Sequence, residues 1–136
     1  MSPAPIVENK LFAGLMVYVM SAHESVVEQV RAAVKTSVLH VANATAFFDL
    51  ATARARRKGS CVIIDLATLP DPRAFIATAK RSPAISNMPL ILFGTEGEHE
   101  RLPDEVRSAV RGSIVVPVTT DQLEAAIVSL CQIRSQ

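Results

Sequence analysis

The stretch Cys61-Val62-Ile63-Ile64-Asp65 is an uninterrupted apolar run that ends in a carboxylate. Because no polar residue breaks its β-branched residues, the run is typical of a strand that is covered on both faces, as strands of parallel sheets are. Runs of the same character recur along the chain, at residues 15–19, 38–41, 89–93 and 114–116. The chain is therefore predicted to contain five buried strands.

A helical pattern follows each predicted strand. Ser21 and Glu24 have the spacing of a capping box, and they are expected to open a helix over residues 21–35 whose inward stripe contains Val26, Val27, Val30 and Val34. The second helix, capped by Asn43 or Thr45, carries Phe47, Phe48 and Leu50 and is expected to run into the basic cluster Arg54, Arg56, Arg57 and Lys58 before Gly59.

Cap signals also mark the later helices. Asp71-Pro72 predicts the start of a third helix that ends near residue 81, because Asp is a favoured N-cap and Pro a favoured first helical residue. A fourth helix is predicted over residues 103–111, with residues 96–100 as a loop. Thr119 and Gln122 form a second capping box, which opens the last helix over residues 119–133.

Strands and helices that alternate at this spacing imply right-handed βαβ crossovers and a parallel sheet. We therefore predict an α/β fold of (βα)5 type, in which a doubly wound five-stranded sheet lies between two layers of helices. Residues 1–10 are expected to form a flexible leader and residues 11–136 a single domain. A chain of 136 residues can bury about two-thirds of its unfolded surface without disulfides or metals.

Composition excludes several classes of protein. Hydrophobic residues make up 49% of the chain and the formal net charge is +1, so neither a disordered chain nor a strongly electrostatic nucleic-acid binder is expected. No apolar run approaches the ~20 residues of a membrane span, and the N-terminus lacks a secretory signal pattern. Cys61 and Cys131 are expected to be buried thiols. These observations predict a cytoplasmic protein.

Asp65 is the obvious candidate for chemistry, because open parallel sheets build their sites at the carboxyl ends of strands. The other predicted strand ends carry Met20, Ser21, Gly94 and Val116, which neither bind a metal ion strongly nor polarise a phosphoryl group. The histidines lack metal-site spacing, no Ser-His nucleophile pattern is present, and the five glycines form no phosphate-binding loop. No catalytic residue, metal or cofactor is predicted, and the chain is not expected to be an enzyme.

In the order and spacing of these elements, residues 11–133 resemble the receiver domain of two-component response regulators. Val62-Ile-Ile-Asp65 with Pro70 is similar to the phosphoacceptor strand and its loop, Met88-Pro-Leu-Ile-Leu-Phe-Gly94 to the fourth strand, and Gly112-Ser-Ile-Val-Val116-Pro117 to the fifth. The resemblance implies a flavodoxin-like fold with Asp65 at the phosphoacceptor position.

This chain departs from the family where the chemistry is done. Family members have an acidic pair that binds Mg²⁺, a Ser/Thr after the fourth strand, an aromatic switch residue in the fifth and a lysine before a proline. The corresponding positions hold Met20 and Ser21, Gly94 with Thr95 beside it, Ser113, and Val116 before Pro117. Because phosphoryl transfer to a carboxylate needs Mg²⁺ held by oxygen ligands, we expect Asp65 not to be phosphorylated efficiently. The resemblance thus points to a pseudo-receiver.

The leading hypothesis is a phosphorylation-independent protein–protein interaction module in bacterial signal transduction. Its partner, another protein or a second copy, is expected on the face of the fourth helix, fifth strand and fifth helix. We assign that face to Arg107, Arg111, Leu123, Ile127 and Val128, although Leu123 and Ile127 are also needed inward. Two alternatives remain open: an atypical receiver that is still phosphorylated on Asp65, and a small-molecule sensor whose ligand occupies the crevice between Met20, Ser21, Gly94 and Val116.

Overall fold

A computed structural model describes residues 16–34, 38–53, 61–83 and 85–131. Within these ranges the chain alternates between strands and helices. The strands are β1 Val17–Met20, β2 Val38–Val41, β3 Cys61–Asp65, β4 Leu90–Thr95 and β5 Gly112–Val116. The α-helices are α1 Glu24–Val34, α2 Ala44–Ala53, α3 Pro72–Arg81, α4 Glu96–Glu100, α5 Asp104–Ala109 and α6 Thr120–Leu130, and a 3-10 turn spans Leu66–Thr68.

The five strands form one parallel sheet in the order β2-β1-β3-β4-β5. Met20, the last residue of β1, pairs with Ile64, and Asp65, the last residue of β3, pairs with Phe93. The carboxyl ends of β1, β3 and β4 therefore lie next to one another along one edge. The predicted five-stranded parallel α/β fold is confirmed.

Each face of the sheet packs against its own apolar layer, because successive side chains of a strand point to opposite faces. Tyr18, Ile64 and Leu92 face a layer that contains the aromatic rings of Phe47 and Phe75. The ring centroids of Tyr18 and Phe47 are 5.6 Å apart, in an edge-to-face arrangement that aromatic pairs prefer.

The opposite layer is aliphatic. Val19, Ile63 and Ile91 pack there against α1 and α6, and the predicted inward stripe of α1, Val26, Val27, Val30 and Val34, is buried in it. Burial of each such side chain stabilises the fold by roughly 1.5–3 kcal/mol. The two layers together explain why β1, β3 as far as Ile64 and β4 as far as Phe93 are apolar.

Three of the predicted caps form. The Asp71 carboxylate accepts a hydrogen bond of 3.1 Å from the Ala74 N–H at the start of α3, and the Thr119–Gln122 capping box opens α6. Asn43, and not Thr45, caps α2, since its side-chain oxygen accepts from the Ala46 N–H at 2.9 Å. The predicted leader, the basic cluster at residues 54–58 and the predicted helix ends at 35 and 133 lie outside the described residues.

Two local predictions are wrong. Glu24 is the first residue of α1 and not its third, so Ser21 and Glu24 form no capping box. Residues 96–100 are the helix α4 and not a loop, because Thr95 and Glu98 form a capping box in which the Thr95 N–H donates to the Glu98 carboxylate at 2.9 Å. The predicted fourth helix is correspondingly short, at Asp104–Ala109.

Candidate functional site at the ends of β1 and β3

Asp65 is a buried carboxylate, with 3% of its surface exposed, and both of its oxygens accept hydrogen bonds. The Ser21 hydroxyl donates to Oδ2 at 2.7 Å and the Thr68 hydroxyl donates to the same oxygen at 3.1 Å. The Ala67 N–H donates to Oδ1 at 3.1 Å. Such bonds to a charged acceptor are stronger than bonds between neutral groups, so Asp65 holds this edge of the sheet together.

The chain that follows Asp65 is shaped by these bonds. Asp65 is the N-cap of the 3-10 turn Leu66–Thr68, and the turn brings Thr68 back over the carboxylate. The Thr68 hydroxyl oxygen in turn accepts a hydrogen bond of 2.8 Å from the Ala22 N–H. Thr68 therefore connects the end of β3 with the segment that follows β1, and sequence analysis did not single it out.

Ser21, which directly follows β1, is fully buried and also connects two segments of the chain through hydrogen bonds. Its hydroxyl oxygen accepts from the His23 N–H at 2.9 Å, and its proton is directed to Asp65, because the carbonyl of His23 is a more distant, neutral acceptor at 3.2 Å. The Ser21 carbonyl lies 2.7 Å from His40 Nε2. A carbonyl only accepts, so His40 carries its proton on Nε2 and extends the network to β2.

The position of Gly94 is closely packed. A Cβ placed on Gly94 would lie 3.0 Å from Leu66 Cδ1 and 3.1 Å from Glu98 Oε1. Leu66, the residue after Asp65, thus occupies the space beside the end of β4. The Thr95 hydroxyl is engaged as the N-cap of α4, so it is directed towards the helix. Leu66 therefore borders, on its Gly94 side, the crevice expected between Met20, Ser21, Gly94 and Val116.

The end of β5 is apolar on its inner side. Val116 packs against the aliphatic layer, the Val116–Pro117 peptide bond is cis, and Ser113 is exposed. Val116, Pro117 and Thr95 line a shallow depression of about 420 Å³, which Gln29 and Val118 complete. This depression is open to solvent and offers no cationic side chain.

The residues present do not fit a Mg²⁺ ion, whose preferred ligands are several oxygens in an octahedral arrangement. The oxygens of Asp65 already accept from Ser21, Thr68 and Ala67, and the Glu98 carboxylate beside Gly94 is engaged in the capping box of α4. Met20 is fully buried in the aromatic layer. In the part of the chain that the structure describes, no three His, Cys, Asp or Glu side chains lie close enough together to hold a metal ion.

The assigned interaction face needs a correction. Leu123 and Ile127 are 1% and 0% exposed, because they pack α6 onto the sheet, so their side chains are not available to a partner. Arg107 donates from Nη2 to the carbonyls of His99 and Glu100, at 3.1 and 2.8 Å, and thereby closes the end of α4. Arg111 is exposed and Val128 half-buried.

Val115 on β5 was missed by sequence analysis. Val115 is 48% exposed, and no other large hydrophobic side chain among the described residues is exposed. The alternation between Ile114, which is buried, and Val115, which is not, follows from the position of β5 at the edge of the sheet. That position is not visible in a run of three apolar residues.

None of the helices in the described ranges combines the length and apolarity that crossing a membrane requires.

Solved structures with the same fold include response-regulator receiver domains. The chemotaxis response regulator CheY4 of Vibrio cholerae aligns over 85% of this chain and 98% of its own, with a TM-score of 0.68 and 17% identity. A response regulator receiver domain protein from Clostridium thermocellum aligns over 87% of this chain and 94% of its own, with a TM-score of 0.70 and 15% identity.

Full-length FixJ from B. japonicum aligns with a TM-score of 0.68 and 20% identity over 86% of this chain, which spans 57% of the FixJ chain. No protein-family model and no curated protein matches the sequence. At these identities the comparisons establish the CheY-like receiver fold of this chain.

Proposed function

We propose that this chain is a degenerate receiver domain, a pseudo-receiver, and that it acts as a phosphorylation-independent protein–protein interaction module in bacterial signal transduction. The proposal combines the receiver fold with a site whose polar groups serve the fold. Its natural partner is a signalling protein or a second copy of the chain.

The observation that carries the proposal is that Asp65 is almost completely buried and that both of its oxygens accept hydrogen bonds from the chain itself. A phosphoacceptor carboxylate must present one oxygen to the phosphorus atom, in line with the leaving group, while Mg²⁺ and a cation neutralise the phosphate charge. Here Oδ2 accepts from both Ser21 and Thr68, and Oδ1 accepts from the Ala67 N–H. Attack by either oxygen would compete with these bonds, and Met20 and Val116, at the positions where the family has a metal ligand and a lysine, cannot compensate for their loss.

The packing at Gly94 and Val116 supports the same reading. A receiver that responds to phosphorylation needs space for the phosphoryl group and a hydroxyl that moves towards it. In this chain the Leu66 side chain fills the space beside Gly94, and the Thr95 hydroxyl is held in the capping box of α4. This filled space also weighs against a small-molecule sensor with a ligand above Asp65.

What remains available for function is the surface made by α4, α5, β5 and α6, which includes the face assigned from the sequence. Its exposed members include Arg107, Arg111 and Val115, and Val128 is partly accessible. An apolar centre with a charged rim is the composition that protein interfaces favour. We place the partner on this surface, centred on Val115.

The proposal that Asp65 does not accept a phosphoryl group is tested by an NMR titration with beryllofluoride and Mg²⁺, which together mimic a phosphorylated carboxylate. Asp65→Asn removes the acceptor, and Asp71→Asn is the matched control, because Asp71 is a capping carboxylate on the neighbouring α3. We expect no saturable shifts at residues 65–68 in the wild type. Shifts that saturate, persist in Asp71→Asn and vanish in Asp65→Asn would establish a phosphorylatable receiver instead.

A separate test concerns the proposed interaction surface centred on Val115. A partner that binds the wild type is expected to bind Asp65→Asn with unchanged affinity, and to lose at least about tenfold in affinity for Val115→Glu, which introduces a charge at the centre of the interface. Thr78→Glu on α3, an exposed position elsewhere, is the control for added charge. Equal loss in both Glu variants would place the interface elsewhere.

A further inference from the structure

Cys61 and Cys131 are close neighbours, although they are far apart in the sequence. Cys61 is the first residue of the central strand β3 and is fully buried; Cys131 follows α6 and is half-buried. Both belong to the aliphatic layer between the sheet and the helices α1 and α6. The thiol of Cys61 donates a hydrogen bond to the sulfur of Cys131.

The packing of α6 on the sheet explains why Cys61 and Cys131 lie close together. Leu130 lies so close to the backbone of Gly112 that a Cβ there would collide with its methyl groups, which anchors the end of α6 over the start of β5. The Cys131 N–H donates to the Ile127 carbonyl at 2.9 Å and keeps the helical course of the backbone. Cys131, the residue after Leu130, thereby packs against the aliphatic layer that contains Cys61.

The two thiols differ in chemical character. The hydrogen bond from Cys61 and the charge of Arg111 lower the pKa of Cys131, against the opposing effect of its partial burial. The same hydrogen bond, together with complete burial, raises the pKa of Cys61 well above its ordinary value. A thiolate is the reactive form of cysteine, so Cys131 is the nucleophile of the pair and Cys61 the protected second thiol.

We propose that Cys61 and Cys131 form a peroxide-sensitive thiol pair, which is oxidised to an intramolecular disulfide between β3 and the end of α6. The Cys131 thiolate attacks hydrogen peroxide; an S–O bond forms, the O–O bond breaks and hydroxide leaves, to be protonated to water. The Cys61 sulfur, losing its proton, then attacks the sulfenic acid; the S–S bond forms and a second water leaves. Two thiols and one peroxide thus yield one disulfide and two waters.

The inference is independent of the proposed function, since it involves the opposite edge of the sheet from Asp65. The disulfide would covalently join α6, one element of the proposed interaction surface, to the central strand β3. Oxidation would therefore restrain α6 and, through it, affect the proposed interaction surface. Reduction by a dithiol reverses the step.

The experiment treats the reduced protein with stoichiometric hydrogen peroxide, blocks remaining thiols with N-ethylmaleimide and maps the peptides by mass spectrometry without reduction. We expect a monomer that is lighter by two hydrogens, with a cross-link between the Cys61 and Cys131 peptides that dithiothreitol removes. In denaturant the cross-link should form at least about tenfold less, because the thiols are no longer held together. Absence of the cross-link in the native protein, or disulfide-linked dimers in its place, would overturn the proposal.

Two variants separate the roles of the thiols. Cys61→Ala is expected to leave a sulfenic acid on Cys131 that dimedone traps, whereas Cys131→Ala should show no dimedone adduct on the buried Cys61. The reverse pattern, or equal trapping in both, would contradict the assignment of the nucleophile. The cross-link in the wild-type protein is decisive even where a variant proves unstable.

Discussion

The carboxyl edge of the sheet is polar at one end and apolar at the other. At β1 and β3, Ser21, Asp65 and Thr68 form a closed set of short hydrogen bonds. At β4 and β5, Leu66 packs beside Gly94, and Val116 packs against the aliphatic layer. The difference teaches that a strand-end carboxylate can serve as a hydrogen-bond acceptor for neighbouring segments of the chain, while other ends of the same sheet are held by apolar packing.

The largest effect is expected from breaking the polar end. Asp65→Ala leaves the buried hydroxyl of Ser21, the half-buried hydroxyl of Thr68 and the Ala67 N–H without their acceptor. We expect a loss of about 3 kcal/mol in the free energy of unfolding, measured by urea denaturation. Asp71→Ala removes an exposed N-cap and should cost about 1 kcal/mol. Equal losses would show that Asp65 is no more than a cap.

A smaller effect is expected at the apolar end. Gly94→Ala places a methyl group against Leu66 and Glu98 and should lower the free energy of unfolding by about 1 kcal/mol through overpacking. In a Leu66→Ala background the contact with Leu66 Cδ1 is removed, whereas the contacts with Leu66 Cβ and Glu98 Oε1 at 3.1 Å remain, so the cost of the same substitution should become smaller. A double-mutant cycle measures this coupling, and additive losses would disprove that Leu66 occupies the space beside Gly94.

The smallest effect is expected for an ion pair that is exposed to solvent. Arg73 on α3 and Glu105 on α5 form an ion pair with both side chains more than half exposed. Arg73→Ala should change the free energy of unfolding by less than about 0.5 kcal/mol, because solvent screens exposed pairs. A loss as large as that of Asp65→Ala would mean that burial is not what makes the Asp65 network stabilising.

Sequence patterns predicted most of the architecture because the relevant signals are local. Apolar runs marked all five strands, and the caps at Asp71 and Thr119 marked helix starts to the residue. The same kind of signal was present but unused at Thr95 and Glu98, which open α4. For Ser21 a local signal misled: the hydroxyl that matches a capping box is used by a carboxylate 44 positions away.

The candidate site was predicted in part. The end of β3 was the expected place for Asp65, and the structure confirms this position. That Met20, Gly94 and Val116 replace the chemical groups of the receiver family stays a prediction. The donors to Asp65, the filling role of Leu66 and the exposure of Val115 could not be predicted, because each depends on which strands are neighbours and which lie at an edge.

The sequence by itself determined the alternation of strands and helices and the position of Asp65 at a strand end. These follow from periodicity and residue type, which a chain carries in every conformation. The tertiary structure alone decided that Ser21 and Thr68 donate to Asp65, that Leu66 packs beside Gly94 and that Cys61 lies next to Cys131. The reason is physical: hydrogen bonds and packing contacts join residues through space, and their partners are defined only once the strands are ordered.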